Sequence, residues 1–139
     1  MTRSNYIDTN VIIAFINNRD ANHARALKIF NYSNRKFTSM IAVLELKSVL
    51  SRTTKLSFDE IEAFVDYLPE INVEVPEVDA NKIIRYATDI AVRIRMKTLD
   101  LLHISASIII GADAFITFDR EFIEKEKEIA NIGLIIKSE

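Results

Sequence analysis

Short apolar runs alternate along the chain with segments whose apolar residues recur every three or four positions. Asn5 to Asp8 reads as a strand, and Val11, Ile12, Phe15 and Ile16 mark a short helix after it. A second helix is expected from Asp20 to Tyr32, with Ala24, Leu27 and Phe30 on one side. Lys36 to Ser39 reads as the next strand, and Ser39 is placed to cap the helix that follows. Ser57-Phe58-Asp59-Glu60 is a capping box ahead of Ile61, Phe64, Val65 and Leu68, which keep the i, i+3, i+4, i+7 spacing of one helix face. Asn72 to Val75 is a third strand, between a connection bracketed by Pro69 and Pro76. Asp79 then caps a helix with Ile83, Ala87, Ile90, Ala91 and Ile94 together, and Thr98 caps the most apolar helix, Leu99 to Ile110. Ala114 to Thr117 is a fourth strand, Asp119 to Lys127 a last helix, and Gly133 to Lys137 a fifth strand. This alternation predicts one α/β domain over residues 1–139, built on a mainly parallel sheet of four to five strands.

Composition narrows the chemistry. The 139 residues are 49% hydrophobic, enough for a core in a single domain. The absence of cysteine excludes disulfides and thiolate zinc sites. His23 and His103 are the only imidazoles, so a metal site would depend on oxygen ligands. The longest apolar stretch, Leu99 to Phe118, is broken by Asp100, His103, Gly111 and Asp113, which argues against a membrane span. No apolar signal region follows the basic N-terminal residues, and the expected location is the cytoplasm. A net charge of -2 argues mildly against a dedicated nucleic-acid surface. Acids gathered in one pocket would account for much of that sum and leave the remaining surface slightly basic.

Four carboxylates sit where apolar residues should dominate. Asp8 ends the first strand, Glu45 lies in Val43-Leu44-Glu45-Leu46, Asp100 in Leu99-Asp100-Leu101, and Asp119 follows Phe115-Ile116-Thr117-Phe118. A carboxylate buried without a partner costs several kcal/mol. In an open parallel sheet, all four can face the edge formed by the carboxyl ends of the strands, where ligands bind. Carboxylates sharing one site raise each other's pKa values, and a divalent cation resolves the repulsion. Oxygen ligands favour Mg²⁺ or Mn²⁺. Asn10 and Thr117 are placed to orient the acids. Each acid also has a purely structural use: Asp8 and Asp119 as helix caps, Asp100 as a charge in a first helical turn, Glu45 on a solvent-facing helix side. His103 reads first as a packed, hydrogen-bonded residue, Asp113 as a turn residue, and Arg85, Arg93, Arg95 and Lys97 as a solvated face that could also meet phosphates.

Asp8-Thr9-Asn10 after a short strand, Glu45 in an apolar helix, Asp100-Leu101-Leu102-His103-Ile104-Ser105-Ala106 and Thr117-Phe118-Asp119-Arg120-Glu121-Phe122 together resemble the PIN-domain nucleases, and among them the small stand-alone VapC-type toxins. The resemblance spans essentially the whole chain. It implies a three-layer α/β/α sandwich and Mg²⁺- or Mn²⁺-dependent cleavage of single-stranded RNA. Asp8, Glu45, Asp100 and Asp119 match the family's acidic positions, Thr117 its accompanying hydroxyl residue, and Asn10 its small polar position. The resemblance further implies a homodimer held inactive by a small antitoxin protein. A housekeeping RNA-processing nuclease or an inactive binding module could use the same fold. A phosphatase of the haloacid dehalogenase type would need a second acid two residues after Asp8, where Asn10 stands.

Overall fold

The computed structural model describes residues 3–32 and 34–139. Five strands, β1 (Ser4–Ile7), β2 (Arg35–Phe37), β3 (Val73–Glu74), β4 (Ala114–Ile116) and β5 (Ile135–Lys137), form one sheet in the order β3-β2-β1-β4-β5. Every pairing is parallel, with Tyr6 opposite Phe37 and Phe115, and Ile7 opposite Ile116. The period-two alternation of strand side chains divides the core. Ile7 and Ile116 enter one apolar layer, Tyr6 and Phe115 the other.

Helices cover both faces and complete the expected three layers. On the Ile7 side lie α1 (Thr9–Ile16), α2 (His23–Asn31), α3 (Met40–Thr53) and α4 (Phe58–Asp66). On the Tyr6 side lie α5 (Ala80–Ile90), α6 (Thr98–Ile110), α7 (Arg120–Glu124) and α8 (Glu126–Ala130). Ser39 caps α3 through the Ala42 N–H, Asp79 caps α5 through Asn81, and the Ser57–Glu60 capping box opens α4. α6 ends at Gly111, whose φ of +87° sets it in the left-handed region where glycine is unstrained. Among the described residues no helix is long and apolar enough to cross a membrane.

Several local expectations need correction. α2 buries Ala26 and Ile29 with Phe30 beside them, while Ala24 and Leu27 are exposed. The rotation brings Phe30 onto Phe15 of α1, ring centroids 4.1 Å apart. Thr98 is already helical; Lys97 holds the cap position of α6 without a side-chain bond. Leu68 packs from a 3₁₀ turn (Leu68–Ile71) and Ile94 from beyond the end of α5, so both fill the core outside the helices assigned to them. The single last helix divides at Lys125, whose φ of -101° and ψ of 13° leave the helical region.

The topology decides where a site can form. From β1 the chain moves outward to β2 and β3, then returns past β1 to β4 and β5. The carboxyl ends of β1 and β4 therefore flank the point where strand order reverses, which is where open parallel sheets bind ligands.

Candidate metal centre

Asp8 and Thr117 follow directly on β1 and β4 and meet across this switch point. Asp8 is buried and caps α1, its Oδ1 accepting the Thr9 N–H at 2.8 Å. Its Oδ2 accepts the Thr117 hydroxyl at 2.8 Å and the Asn10 amide at 3.3 Å. Thr117 Oγ1 in turn accepts the Asp119 N–H at 3.0 Å, and Asn10 Oδ1 accepts the Phe118 N–H at 3.2 Å. Asn10 and Thr117 thus knit the ends of the two strands together and fix the Asp8 carboxylate. Asp119 caps α7 through the Glu121 N–H. The capping and ligand readings of Asp8 and Asp119 are compatible, because each cap engages only Oδ1.

Glu45 comes from the second turn of α3, and His103 from α6, one turn after Asp100. His103 Nε2 donates to Glu45 Oε1 at 2.9 Å. Asp8, Glu45 and His103 each offer a ligand atom, and these three atoms lie within 4.8 Å of one another. Asp100 and Asp119 stand outside that tight group and are linked to it by charge. Asp100 is pushed up to about 6 by burial, then by the neighbouring charges of Asp119, Glu121 and Asp8. Burial also raises Asp8; His103 and the Thr117 hydrogen bond oppose the shift, and Glu45 adds to it. The hydrogen bond from His103 holds Glu45 below the usual carboxylate range, against its partial burial. Burial draws the His103 imidazole down, but the Glu45 bond and the charges of Asp8, Glu45 and Asp100 outweigh it and leave it raised.

The arrangement suits a hard divalent cation. Asp100 Oδ2 is buried with no hydrogen-bond partner, a costly state for a carboxylate oxygen. Neighbouring acids raise both Asp8 and Asp100, and among the described residues His103 is the one basic side chain that acts on Asp8 and Glu45. A cation among them would satisfy the orphaned oxygen and cancel the repulsion.

Sequence reasoning weighed His103 mainly as a packing residue and passed over Tyr6 and Glu121. Tyr6 Oη lies 2.9 Å from His103 Nδ1, and the Glu121 charge bears on Asp100. A signal existed for Tyr6: a phenol in a buried central strand needs a partner. For Glu121 the signal was an acid in the first turn after Asp119.

The family description "PIN domain" matches residues 6–128. No curated protein sequence matches the chain. Among solved structures, VapBC2 from Rickettsia felis, bound to a DNA fragment from its promoter, aligns with a TM-score of 0.69 at 19% identity, covering 96% of this chain and 97% of that one. VapC20 from Mycobacterium tuberculosis, a sarcin-ricin loop cleaving toxin, aligns with a TM-score of 0.69 at 20% identity over 86% of this chain and 93% of that one. PAE2754 from Pyrobaculum aerophilum gives 0.58 at 18% identity over 98% and 90%. These likenesses are of fold. The family match itself runs from β1 into α8 and takes in Asp8, Glu45, Asp100 and Asp119, and by it the chain belongs to the PIN domain family.

Proposed function

We propose that the protein is a Mg²⁺- or Mn²⁺-dependent endoribonuclease that cleaves phosphodiester bonds of single-stranded RNA, and that it is the toxin of a toxin–antitoxin pair. Membership of the PIN family supports a nuclease. The observation that carries the metal-dependent reading is the coupled cluster of acids at the strand-order switch, with Asp100 Oδ2 buried and unpartnered.

Asp8, Asp100 and Asp119 would hold the cation, and Glu45 would hold it or position the attacking water. A bound divalent cation supplies an activated water and stabilises the leaving oxygen of an in-line displacement. The protein's own part is preorganisation. Thr9, Thr117 and Asn10 fix both oxygens of Asp8. Glu45 gives Oε1 to His103, which leaves Oε2 outside that bond. Asp100, which takes up a proton near pH 6 in the metal-free protein, must give it up before its carboxylate can serve as a ligand.

The toxin role is supported by the likeness in fold to VapC20, described as a toxin, and to a toxin–antitoxin complex from Klebsiella pneumoniae at a TM-score of 0.63. A small antitoxin would then be the inhibitory partner, and a homodimer the active form. The deciding experiment incubates partner-free protein with labelled single-stranded RNA in Mg²⁺, Mn²⁺ or chelator, beside Asp8→Asn. Metal-dependent cleavage is expected, falling at least ~100-fold in the folded variant. A variant as fast as the parent would remove Asp8 from the site. A folded, metal-loaded parent that cuts no RNA would defeat the nuclease reading.

A further inference from the structure

Ser39, Tyr6 and His103 come from the cap of α3, from β1 and from α6, and all three are buried. The Tyr6 hydroxyl lies 2.6 Å from Ser39 Oγ and 2.9 Å from His103 Nδ1. His103 Nε2 continues the line to Glu45 Oε1. Ser39 Oγ also accepts the Ala42 N–H as the cap of α3. The polar string therefore leaves α3 at its cap, crosses β1 and α6, and returns to α3 at Glu45.

Packing holds the string in place. The Tyr6 ring stacks on Phe115 with centroids 5.2 Å apart, Phe115 stacks on Phe122 at 4.7 Å, and His103 meets Tyr6 edge-on at 6.0 Å. Apolar residues of one core layer surround the two rings, and phenylalanine at 6 and leucine at 103 would pack there without a phenol or an imidazole to satisfy. The phenol and imidazole therefore call for a reason beyond packing. We propose that Tyr6 and His103 are positioning residues that hold one Glu45 oxygen in a single orientation. This rests on the reading of Glu45 as a working acid of the nuclease site.

The donors and acceptors leave little choice. An ionised Glu45 only accepts, so His103 Nε2 must carry the hydrogen between them. Nδ1 is then a bare lone pair in the neutral ring, or a second N–H in the cation. A hydroxyl can answer either. Tyr6 donates to a bare Nδ1 while accepting from Ser39, or accepts from Nδ1–H while donating to Ser39. The string thus keeps Nε2–H directed at Glu45 whatever the charge on the ring.

Tyr6→Phe deletes one oxygen and keeps the aromatic stack. On single-stranded RNA with saturating Mn²⁺, kcat is expected to fall about tenfold with KM unchanged. In the metal-free parent, the His103 Nε2–H should give a slowly exchanging NMR resonance with a cross-peak to the Glu45 side chain. In Tyr6→Phe that hydrogen should exchange at least ~10-fold faster. His103→Leu should lose roughly 100-fold in kcat, and His103→Gln, which restores an N–H donor, should recover part of it. A parent without the Nε2–H signal overturns the proposal, and so, where the parent cleaves RNA, does a Tyr6→Phe variant that changes only one of the two readouts or neither. The NMR readout needs neither metal nor substrate. If the parent cuts no RNA, the nuclease reading fails, and the exchange rates alone decide whether the string holds Glu45.

Discussion

Thr117 shows how a single hydroxyl can serve two acids. It donates to Asp8 Oδ2 and accepts the Asp119 N–H, fully buried at the end of β4. Thr117→Val keeps the shape and leaves that N–H and the Asp8 oxygen each short of a partner. We expect a loss of ~1–3 kcal/mol in stability by denaturant titration, and roughly tenfold weaker Mn²⁺ binding by calorimetry. Unchanged Mn²⁺ affinity would show that the hydroxyl does not orient the Asp8 carboxylate. Asp100 makes the opposite case. Its carboxyl titrates at about 6 in the fold against 3.8 without it. Between those values the native state binds more protons than the unfolded one, so this group's contribution falls as pH rises and is a net penalty above 6. After allowance for solvent screening the penalty is ~1 kcal/mol at neutral pH. Asp100→Asn should therefore raise the metal-free Tm at pH 7.5 by roughly 3 °C and leave it unchanged at pH 4. The same variant should lose RNA cleavage, and a variant that is less stable at pH 7.5 would show that the Asp100 charge is already compensated without metal.

At the scale of elements, caps and strong periodicities carried the reading, and weak periodicities misled it. Ser39, Ser57 and Asp79 cap α3, α4 and α5 as their local sequences require, because a cap is a contact over two or three residues, whereas Thr98 falls one residue inside α6 and leaves the cap position to Lys97. α2 contains alanines at 24 and 26, either of which suits a helix face, and only packing against Phe15 selects Ala26 with Ile29 and Phe30. The break at Lys125 has no such account in the packing, because Phe122 and Ile129, both buried in one layer, would also share a face of one continuous helix. The four acids stood out in the sequence because each interrupts an apolar context, and the structure gathers Asp8 and Glu45 with His103 while Asp100 and Asp119 lie outside that close group. The Tyr6–His103 bond was not legible, since it joins residues 97 positions apart, and a phenol in one element and an imidazole in another do not name each other as partners. Gly111 tests the element scale directly. Its φ of +87° suits glycine, and nothing lies within 4 Å of a Cβ added there, so Gly111→Ala isolates backbone strain from crowding. We expect a loss of ~1 kcal/mol by denaturant titration with cleavage unaffected. A neutral result would mean that the end of α6 relaxes without cost.

For the whole molecule, the sheet order places the acids on one edge, while the apolar surface where the start of α3 meets α5 and α6 raises a separate question of assembly. Met40 and Leu44, one turn apart on α3, are 62% and 71% exposed, and Ile84 on α5 is 54% exposed. Met40 and Ile84 line a cavity of about 170 Å³ with Ile41, Pro76, Val78 and Leu102. Apolar side chains collected around one hollow cost free energy in water and mark a surface that association would cover. A homodimer formed through this surface would bury them, and Leu44 is adjacent to Glu45 in the chain, so that interface would border the acidic crevice. Ile84→Asp introduces a charge at the centre of the patch without touching the core. Light scattering is expected to report a dimer for the parent and a monomer for the variant, with Tm at low protein concentration shifted by no more than about 2 °C. A parent that is monomeric at tens of micromolar would remove self-association as the use of this face. A variant that remains dimeric would move the interface elsewhere on the molecule.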